Sequence, residues 1–442
     1  MTVDDDVTWW SAPVCPDPVD AVVEVPGSKS ITNRALILAA LSDGPSRIGR
    51  ALRSRDTDLM TEALRTLGVG ITTHEIDDAT VDLEVVPHYL RTERPTTIDV
   101  GLAGTVMRFL PPVAALAHGD LAFDGDRAAR RRPMATLIEA LRDVGVDVED
   151  AGRGLLPILV HGTGRVPGGE VMLDASRSSQ FVSSLLLSGA RFEAGITIRH
   201  VGGPVPSTPH IDMTIAMLAD HGVRVRSVEE SEISGHSRRT WHVDPCDLAA
   251  IDRVIEPDIS NALPFIAAAL ATGGRILIRH WPRESIQPTA QVLDVIRAFG
   301  GQISTTDDSL EVIGPAELSG VQVDLRDIGE TAPTFAALAA LAGEPSSLHG
   351  IAHLRGHETD RLAALHAEIS ALGGQIEQTD DALLFRPADL SGNDFRTYED
   401  HRMATCAAIL GLRVPGIRVE NIETTAKTLP GFAQRWNALL PA

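Results

Sequence analysis

Apolar and polar positions alternate between two periods along the chain. Five times, a stretch with apolar residues at helical spacing ends in glycine and gives way to a short alternating pattern, in LRTLGVGI, LRDVGVDV, LADHGVRV, IRAFGGQI and ISALGGQI. Their first glycines are Gly68, Gly145, Gly222, Gly300 and Gly373, separated by 77, 77, 78 and 73 residues. Glycine just past a helical run is a stop signal, because it enters the left-handed region without steric penalty. Strand patterns recur in step with these stops at SRIGRAL, DLAFDGD, ITIRHVG, RILIRHW, SLHGIAHL and IRVENIE. The result is six units of about 75 residues, longer than the roughly 20–50 residues of solenoid repeats. They predict six small α/β subdomains.

Each unit also opens with a helix of one kind: SKSITNRALILAAL, AGTVMRFLPPVAAL, RSSQFVSSLLLSGA, ISNALPFIAAAL, ETAPTFAALAAL and DHRMATCAAIL. Small or polar residues lead into Ala/Leu-rich sequence that is apolar nearly all round, which predicts buried helices with a polar N-terminus. Each start, taken singly, reads as an ordinary N-cap. Six gathered together would make an anion-binding surface from backbone N–H groups and helix dipoles, and the basic residues beside them favour that reading.

Composition then limits the function. At 442 residues the chain is long enough for two or three domains, and 43% hydrophobic residues exclude wholesale disorder. No apolar run reaches the roughly 18 residues of a membrane span. The start MTVDDDVTWW is acidic where a secretory signal is basic. Cys15, Cys246 and Cys406 form neither a disulfide framework nor a CxxC metal site. The expectation is a soluble, cytoplasmic protein. A formal net charge of -21 argues against nucleic acid as a partner, so any anion site must be a local patch of cations. Of the 39 basic residues only Lys29 and Lys427 are lysines, leaving 37 arginines. Lysine is a compact ammonium that can lose a proton when buried, whereas arginine stays charged.

The candidate chemistry clusters at the helix starts. PGSKSITNR, residues 26–34, sets Lys29 and Arg34 around a Gly-Ser loop, a combination suited to phosphate or carboxylate. It lacks the GxxxxGK[ST] spacing of a Walker loop. GLAGT, residues 101–105, is a second glycine-rich helix start, and RRRP at 130–133 is a compact cation cluster. PGSKSxTNR, GLAGTxxR, GDxxxRxRP, SSQF, HETDR, DHRM and TAKT, in that order from about residue 20 to 436, together resemble the 5-enolpyruvylshikimate 3-phosphate synthases, the shikimate-pathway members of the enolpyruvyl transferase family.

The resemblance implies a two-domain inside-out α/β barrel built from six βαβαββ repeats, three per domain, with the domains closing over substrate. Domain one would combine residues 1–27 with 256–442 and domain two would span 28–255, with crossovers near 26–28 and 255–257. It implies a transferase of aromatic amino acid biosynthesis, on the route to chorismate, that joins the 5-hydroxyl of shikimate 3-phosphate to C2 of phosphoenolpyruvate. No metal or organic cofactor is required if protonation and positioning carry the chemistry. The partners implied are these two small molecules, with no membrane and no nucleic acid, and the chain is expected to be a monomer. Inhibition by glyphosate in competition with phosphoenolpyruvate is also implied.

By the same resemblance, shikimate 3-phosphate falls to Lys29, Ser30, Arg34, Ser178, Ser179, Gln180, Ser207, Glu330 and His357. Hydroxyls and an amide suit a polyol phosphate. Phosphoenolpyruvate falls to Lys29, Gly104, Arg132, Arg361, Arg402 and Lys427, where arginine forks match carboxylate and phosphate and a missing side chain admits the ligand to the backbone. The catalytic set is Glu330, Glu358 and Lys29. Glu358 is the candidate acid for the methylene carbon; Glu330 and Lys29 share the candidacy for the proton of the 5-hydroxyl. Glu330 stands where many members carry aspartate, and His357 where some carry lysine. His210 stands where tyrosine is sometimes found, and it is left out of the site.

Two other readings are weighed. His349, His353 and His357 are four residues apart, as metal ligands on a helix would be, but Gly350 and Gly356 interrupt the segment and HETDR lacks the second histidine of HExxH. The nearest enzymatic alternative is UDP-N-acetylglucosamine 1-carboxyvinyltransferase, whose family usually places a reactive cysteine or aspartate in the loop that here reads GDRAARRR, residues 125–132. A silent anion-binding scaffold would have lost the acid/base residues, and Lys29, Glu358 and Lys427 are all present.

Overall fold

The six opening helices are Lys29–Leu41, Gly104–Ala115, Gln180–Gly189, Ile259–Thr272, Ala332–Leu341 and His401–Gly411. Burial surrounds them, as their all-round apolar pattern requires: every residue from Ile31 to Leu41 is buried, and so is every residue from Thr105 to Ala115. Five second helices follow, Arg55–Thr66, Ala135–Asp143, Pro209–Asp220, Thr289–Ala298 and Arg361–Ala371. Each ends at the predicted glycine, and Gly68, Gly145, Gly222, Gly300 and Gly373 all lie in the left-handed region with φ between 81° and 97°. The stop signal therefore works through backbone conformation, and each chain reversal feeds the strand that follows.

The computed structural model describes residues 7–233 and 236–440, so the acidic start at residues 1–6 lies outside the described residues. The chain divides into two compact units, Met1–Pro26 with Glu256–Ala442, and Gly27–Ile255. The second unit carries three four-stranded sheets. One of them runs in the order Thr96–Asp99, His118–Asp124, Ile158–Thr163, Asp147–Glu149, with a parallel first pair and antiparallel pairs thereafter. This is the βαβαββ pattern: a helix crosses between the parallel strands, and a second helix precedes the antiparallel pair. The first unit carries two four-stranded sheets of the same plan, one led by Asp20–Val23 and one by Gln322–Asp324. All six strand starts read from the pattern are strands, including Ser46–Leu52, Arg275–Arg279 and Arg418–Glu420.

The repeats are not six equal consecutive segments. The sixth sheet has three strands, Asp394–Phe395 parallel to Arg418–Glu420, with the antiparallel partner Trp9–Ser11 arriving from the other end of the chain. In the second unit the strand parallel to Ser46–Leu52 is Arg253–Val254, from that unit's far end. In each unit a strand distant in sequence completes a sheet. The core of the first unit includes Phe265, Phe432 and Trp436, with ring centroids 5.3–6.1 Å apart, and binds the C-terminal helix Phe432–Asn437 to Ile259–Thr272.

The glycine stops give a direct test. Gly222 has φ +81° and a Cβ there would meet nothing, so Gly222→Ala isolates the backbone term. It should destabilise the protein by about 1 kcal/mol, lowering the urea midpoint. Gly343→Ala, where a Cβ also meets nothing and φ is not left-handed, should leave the midpoint unchanged or raise it.

Candidate active site

In the unit Gly27–Ile255, the helix that begins at Lys29 is preceded by Ser28 in extended conformation, and Lys29 and Ser30 stand half-buried in its first turn. The Lys29 ammonium lies 3.5 Å from Oδ2 of Asp56, whose side chain is 2% exposed. One turn further, Arg34 is buried. Its Nε donates to Thr214 Oγ1 at 2.7 Å, Nη1 to the Ser30 carbonyl at 2.9 Å, and Nη2 to the His210 carbonyl at 3.0 Å and Ser183 Oγ at 3.4 Å. Asn33 Nδ2 donates to Thr105 Oγ1 at 2.7 Å, tying this helix start to the one at Gly104. His210 thus acts through its carbonyl, as an anchor for Arg34.

Gly104 opens the second helix. A Cβ there would lie 3.0 Å from Arg132 Nη2 and 3.2 Å from Gln180 Oε1, so the missing side chain lets Arg132 and Gln180 close on the backbone. Arg132 is buried, donates Nη1 to the Leu102 carbonyl at 3.2 Å, and leaves its Nε without a hydrogen bond. Gln180 is held in turn by Arg108, whose Nη1 donates to Gln180 Oε1 at 2.8 Å and to Ser178 Oγ at 3.5 Å. Ser178 Oγ also accepts from Gln180 N at 3.3 Å, so part of the SSQ motif caps its helix. Ser179 occupies the N-cap position of that helix and is buried. Ser207 adopts φ +53°, a left-handed conformation that non-glycine residues rarely hold outside constrained sites. It stands just before the helix Pro209–Asp220.

In the other unit, four charged side chains form a buried chain of alternating sign. Asp400, fully buried, receives Arg361 Nε at 2.7 Å and Nη2 at 3.1 Å. The same Nη2 donates to Glu358 Oε2 at 3.1 Å, and Lys427 Nζ donates to Glu358 Oε1 at 2.5 Å. Burial would weaken the Arg361 guanidinium's hold on its proton, but Asp400 and Glu358 outweigh it and push its pKa upward. Arg402, in the first turn after its N-cap Asp400, is buried and donates Nη1 to the Ser260 carbonyl at 2.6 Å, while its Nε makes no hydrogen bond. Asn261 Nδ2 donates to the Thr428 carbonyl at 2.8 Å, so this bond and the Arg402–Ser260 bond tie the helix start at Ile259 to the turn carrying Lys427 and to the helix start at His401.

Glu330 lies on the short 3-10 turn Gly329–Thr331 leading into Ala332–Leu341. Its charge acts on His353, His357 and Arg361. His357 sits beside Arg361, Nδ1 to Nη1 at 3.4 Å. Burial, reinforced by the Arg361 charge, holds its pKa well below the usual histidine value, so the imidazole is neutral at pH 7. His353 packs edge-on to His357 at 5.8 Å and is lowered to about 4, mainly by burial. Its Nε2 is buried without a hydrogen bond beside Gly329. His349 lies on the strand Ser346–His349 and His353 on the turn Ala352–Gly356, so the three histidines share no helix face. Among the described residues no group of three or more His, Cys, Asp or Glu is placed to hold a metal.

Within each unit, then, some of the residues singled out from sequence lie at or near helix starts, Lys29, Ser30, Gly104, Ser179 and Gln180 in one and Arg361 and Arg402 in the other. Glu358 and Lys427 are bonded to each other beside the latter pair. Asp56, Arg108 and Asp400 were not among those singled out, and His353 was weighed only as a metal ligand. Asp400 lay in the quoted DHRM motif and Arg108 closed GLAGTxxR, but neither position reveals its partner. No described helix is long and apolar enough to cross a membrane.

Comparison with known proteins gives the family and the fold. Residues 14–436 match the family described as EPSP synthase (3-phosphoshikimate 1-carboxyvinyltransferase). A 3-phosphoshikimate 1-carboxyvinyltransferase of Kocuria rhizophila is 51% identical over 436 residues, covering 98% of this chain and 96% of that protein. Among solved structures, EPSP synthase from Acinetobacter baumannii superposes with TM-score 0.78 at 22% identity, covering 98% of both chains. The enolpyruvyl transferase NikO from Streptomyces tendae gives 0.74 at 18% identity, covering 97% of this chain and 96% of that one. At these identities the two structures speak for the fold, and the sequence matches for the family. The chain belongs to the EPSP synthase (3-phosphoshikimate 1-carboxyvinyltransferase) family.

Proposed function

We propose that the chain transfers the enolpyruvyl group of phosphoenolpyruvate to the 5-hydroxyl of shikimate 3-phosphate and releases inorganic phosphate, as a monomer in the cytoplasm. The observation that carries the mechanism is the Glu358 carboxylate lodged between Lys427 and Arg361. These are cations an incoming carboxylate or phosphate would engage. As phosphoenolpyruvate draws on them, Glu358 loses part of its counter-charge, and binding a proton becomes more favourable. A protonated Glu358 then delivers that proton to the methylene carbon, leaving C2 electrophilic. The 5-hydroxyl attacks C2 and gives up its proton to Glu330, or to the Lys29 amine once that group has released its own ammonium proton. The tetrahedral ketal expels phosphate with loss of a methyl proton, which restores the double bond.

The remaining assignments follow from chemistry. Arg132, Arg361, Arg402 and Lys427 hold phosphoenolpyruvate, and Gly104 gives it access to the backbone. Ser30, Arg34, Ser178, Ser179, Gln180 and Ser207 receive the shikimate 3-phosphate hydroxyls and phosphate, and Lys29 serves both ligands. In the structure the Arg34 donors serve protein acceptors, so its part is to fix Ser30 as much as to touch ligand. His357, being neutral, offers a hydrogen bond without adding charge.

Purified protein should release phosphate from shikimate 3-phosphate plus phosphoenolpyruvate. Release with UDP-N-acetylglucosamine in place of shikimate 3-phosphate, and none with shikimate 3-phosphate, would overturn the assignment. Glu358→Gln should lower kcat by about 10²–10⁴-fold, the usual scale for removing a general acid, with the dissociation constant for phosphoenolpyruvate changed far less; single-turnover and equilibrium binding measurements separate the two. Stability should also respond to pH through His353. Its folded pKa of about 4 lies below the ordinary value of 6.5, so between these values the unfolded chain binds more protons. The penalty begins as pH falls below about 6.5 and is complete below about 4. Urea midpoints should fall across that window, and fall less in His353→Gln.

A further inference from the structure

Asp56 is the second residue of the helix Arg55–Thr66, and its side chain is 2% exposed. An acidic residue there would ordinarily serve the helix start. That task is already covered: Ser54 N donates to Thr57 Oγ1 at 2.9 Å, the two hydroxyls lie 3.2 Å apart, and Asp58 N donates to the Ser54 carbonyl at 2.9 Å. Both Asp56 carboxylate oxygens are buried without a hydrogen bond. A buried carboxylate in that state is unfavourable unless an ion compensates it. The compensating ion is the Lys29 ammonium at 3.5 Å.

The sign of the charge makes this arrangement informative. Lys29 opens the Gly-Ser loop that the proposed function gives to two anionic ligands. A carboxylate 3.5 Å from that ammonium repels both ligands, so a loop built only to attract anions would do better with asparagine at position 56. We propose that Asp56 is a positioning residue for Lys29 in the enolpyruvyl transfer: it fixes the ammonium at the mouth of the helix start, at the expense of some attraction for the ligands. The inference rests on the function proposed above, under which Lys29 lies between the two substrates.

Electrostatics alone and positioning predict opposite signs, which makes the test decisive. If the carboxylate only repels ligand, Asp56→Asn lowers KM for phosphoenolpyruvate and leaves kcat within twofold. If it positions Lys29, Asp56→Asn lowers kcat at least tenfold and KM does not fall. Asp56→Glu, which keeps the charge but lengthens the side chain, should also lose activity; wild-type kcat in that variant overturns the proposal. A measurement on the wild-type protein needs no variant at Asp56 and no substrate. With only two lysines in the chain, selective 15N-lysine labelling yields two ammonium signals, assigned through Lys427→Arg. The Lys29 ammonium should be ordered in the unliganded protein, with an order parameter above the roughly 0.6 that marks flexibility; a value below it overturns the proposal. Failure of the wild-type protein to release phosphate would instead count against the proposed function, and leaves the ammonium measurement to judge Asp56.

Discussion

The fully buried carboxylate of Asp400 is the constraint on which the first unit's chain of buried charges rests. It does two things with two oxygens. It caps the helix His401–Gly411 by accepting from Arg402 N at 2.8 Å, and it takes both Nε and Nη2 of Arg361. Arg361 then reaches Glu358, and Glu358 reaches Lys427. Removing one partner of such a buried pair costs about 3–5 kcal/mol, because the other is left uncompensated. Helix start, guanidinium and candidate acid therefore form one rigid object, and a proton donor fixed in that way needs little reorganisation during the reaction.

The unit Gly27–Ile255 handles buried cations differently. Arg34 distributes its donors over the carbonyls of Ser30 and His210 and the hydroxyls of Thr214 and Ser183, with its guanidinium 5.0 Å from the Phe109 ring. Arg108 similarly serves Gln180 and Ser178 and stands 5.2 Å from the Phe181 ring. A planar fork of five donors on an aromatic face can be buried this way. A lysine cannot: its ammonium is compact and strongly hydrated, so burial calls for a full opposite charge. Both lysines of the chain have one, Lys29 at Asp56 and Lys427 at Glu358. That contrast gives a physical reason for two lysines to stand apart among so many arginines.

The fold was legible where local physics fixes it. Glycine at a left-handed helix end and apolar spacing before it belong to single segments, so the second helices, stops and strands could be read directly. The incomplete sixth sheet could not, because its third strand, Trp9–Ser11, and the distant strand Arg253–Val254 join sheets through pairings between ends of the chain, on which periodicity is silent. The site divides in the same way. Cations and hydroxyls at helix starts advertise an anion. Asp56 and Asp400, in the first turn and at the N-cap of their helices, read as capping residues, and their further role depends on cations 27 and 39 residues away in sequence. The neutrality of His353 was hidden for another reason: its spacing from His349 and His357 speaks only to a metal, and its lowered pKa comes from burial that the sequence does not show.

Under the proposed function, substrate binding at these cations is an exchange as well as an addition. Arg361 and Lys427 are already engaged by Glu358 before ligand arrives, so an incoming anion must share them, and part of its attraction offsets the loss of existing ion pairs. That lowers affinity for an anion as such. What it gains, on the proposed function, is coupling: the carboxylate that yields its counter-charge is the one proposed to take up and deliver a proton, and its tendency to do so would rise with phosphoenolpyruvate in place. A bare cluster of arginines would bind the same ligand more tightly in the ground state without readying an acid for it. Interactions that favour the transition state over the bound substrate accelerate the chemical step, whereas equal attraction to both does not. Carboxylates buried beside the anion-binding cations thus make physical sense as elements of the reaction rather than as obstacles to binding.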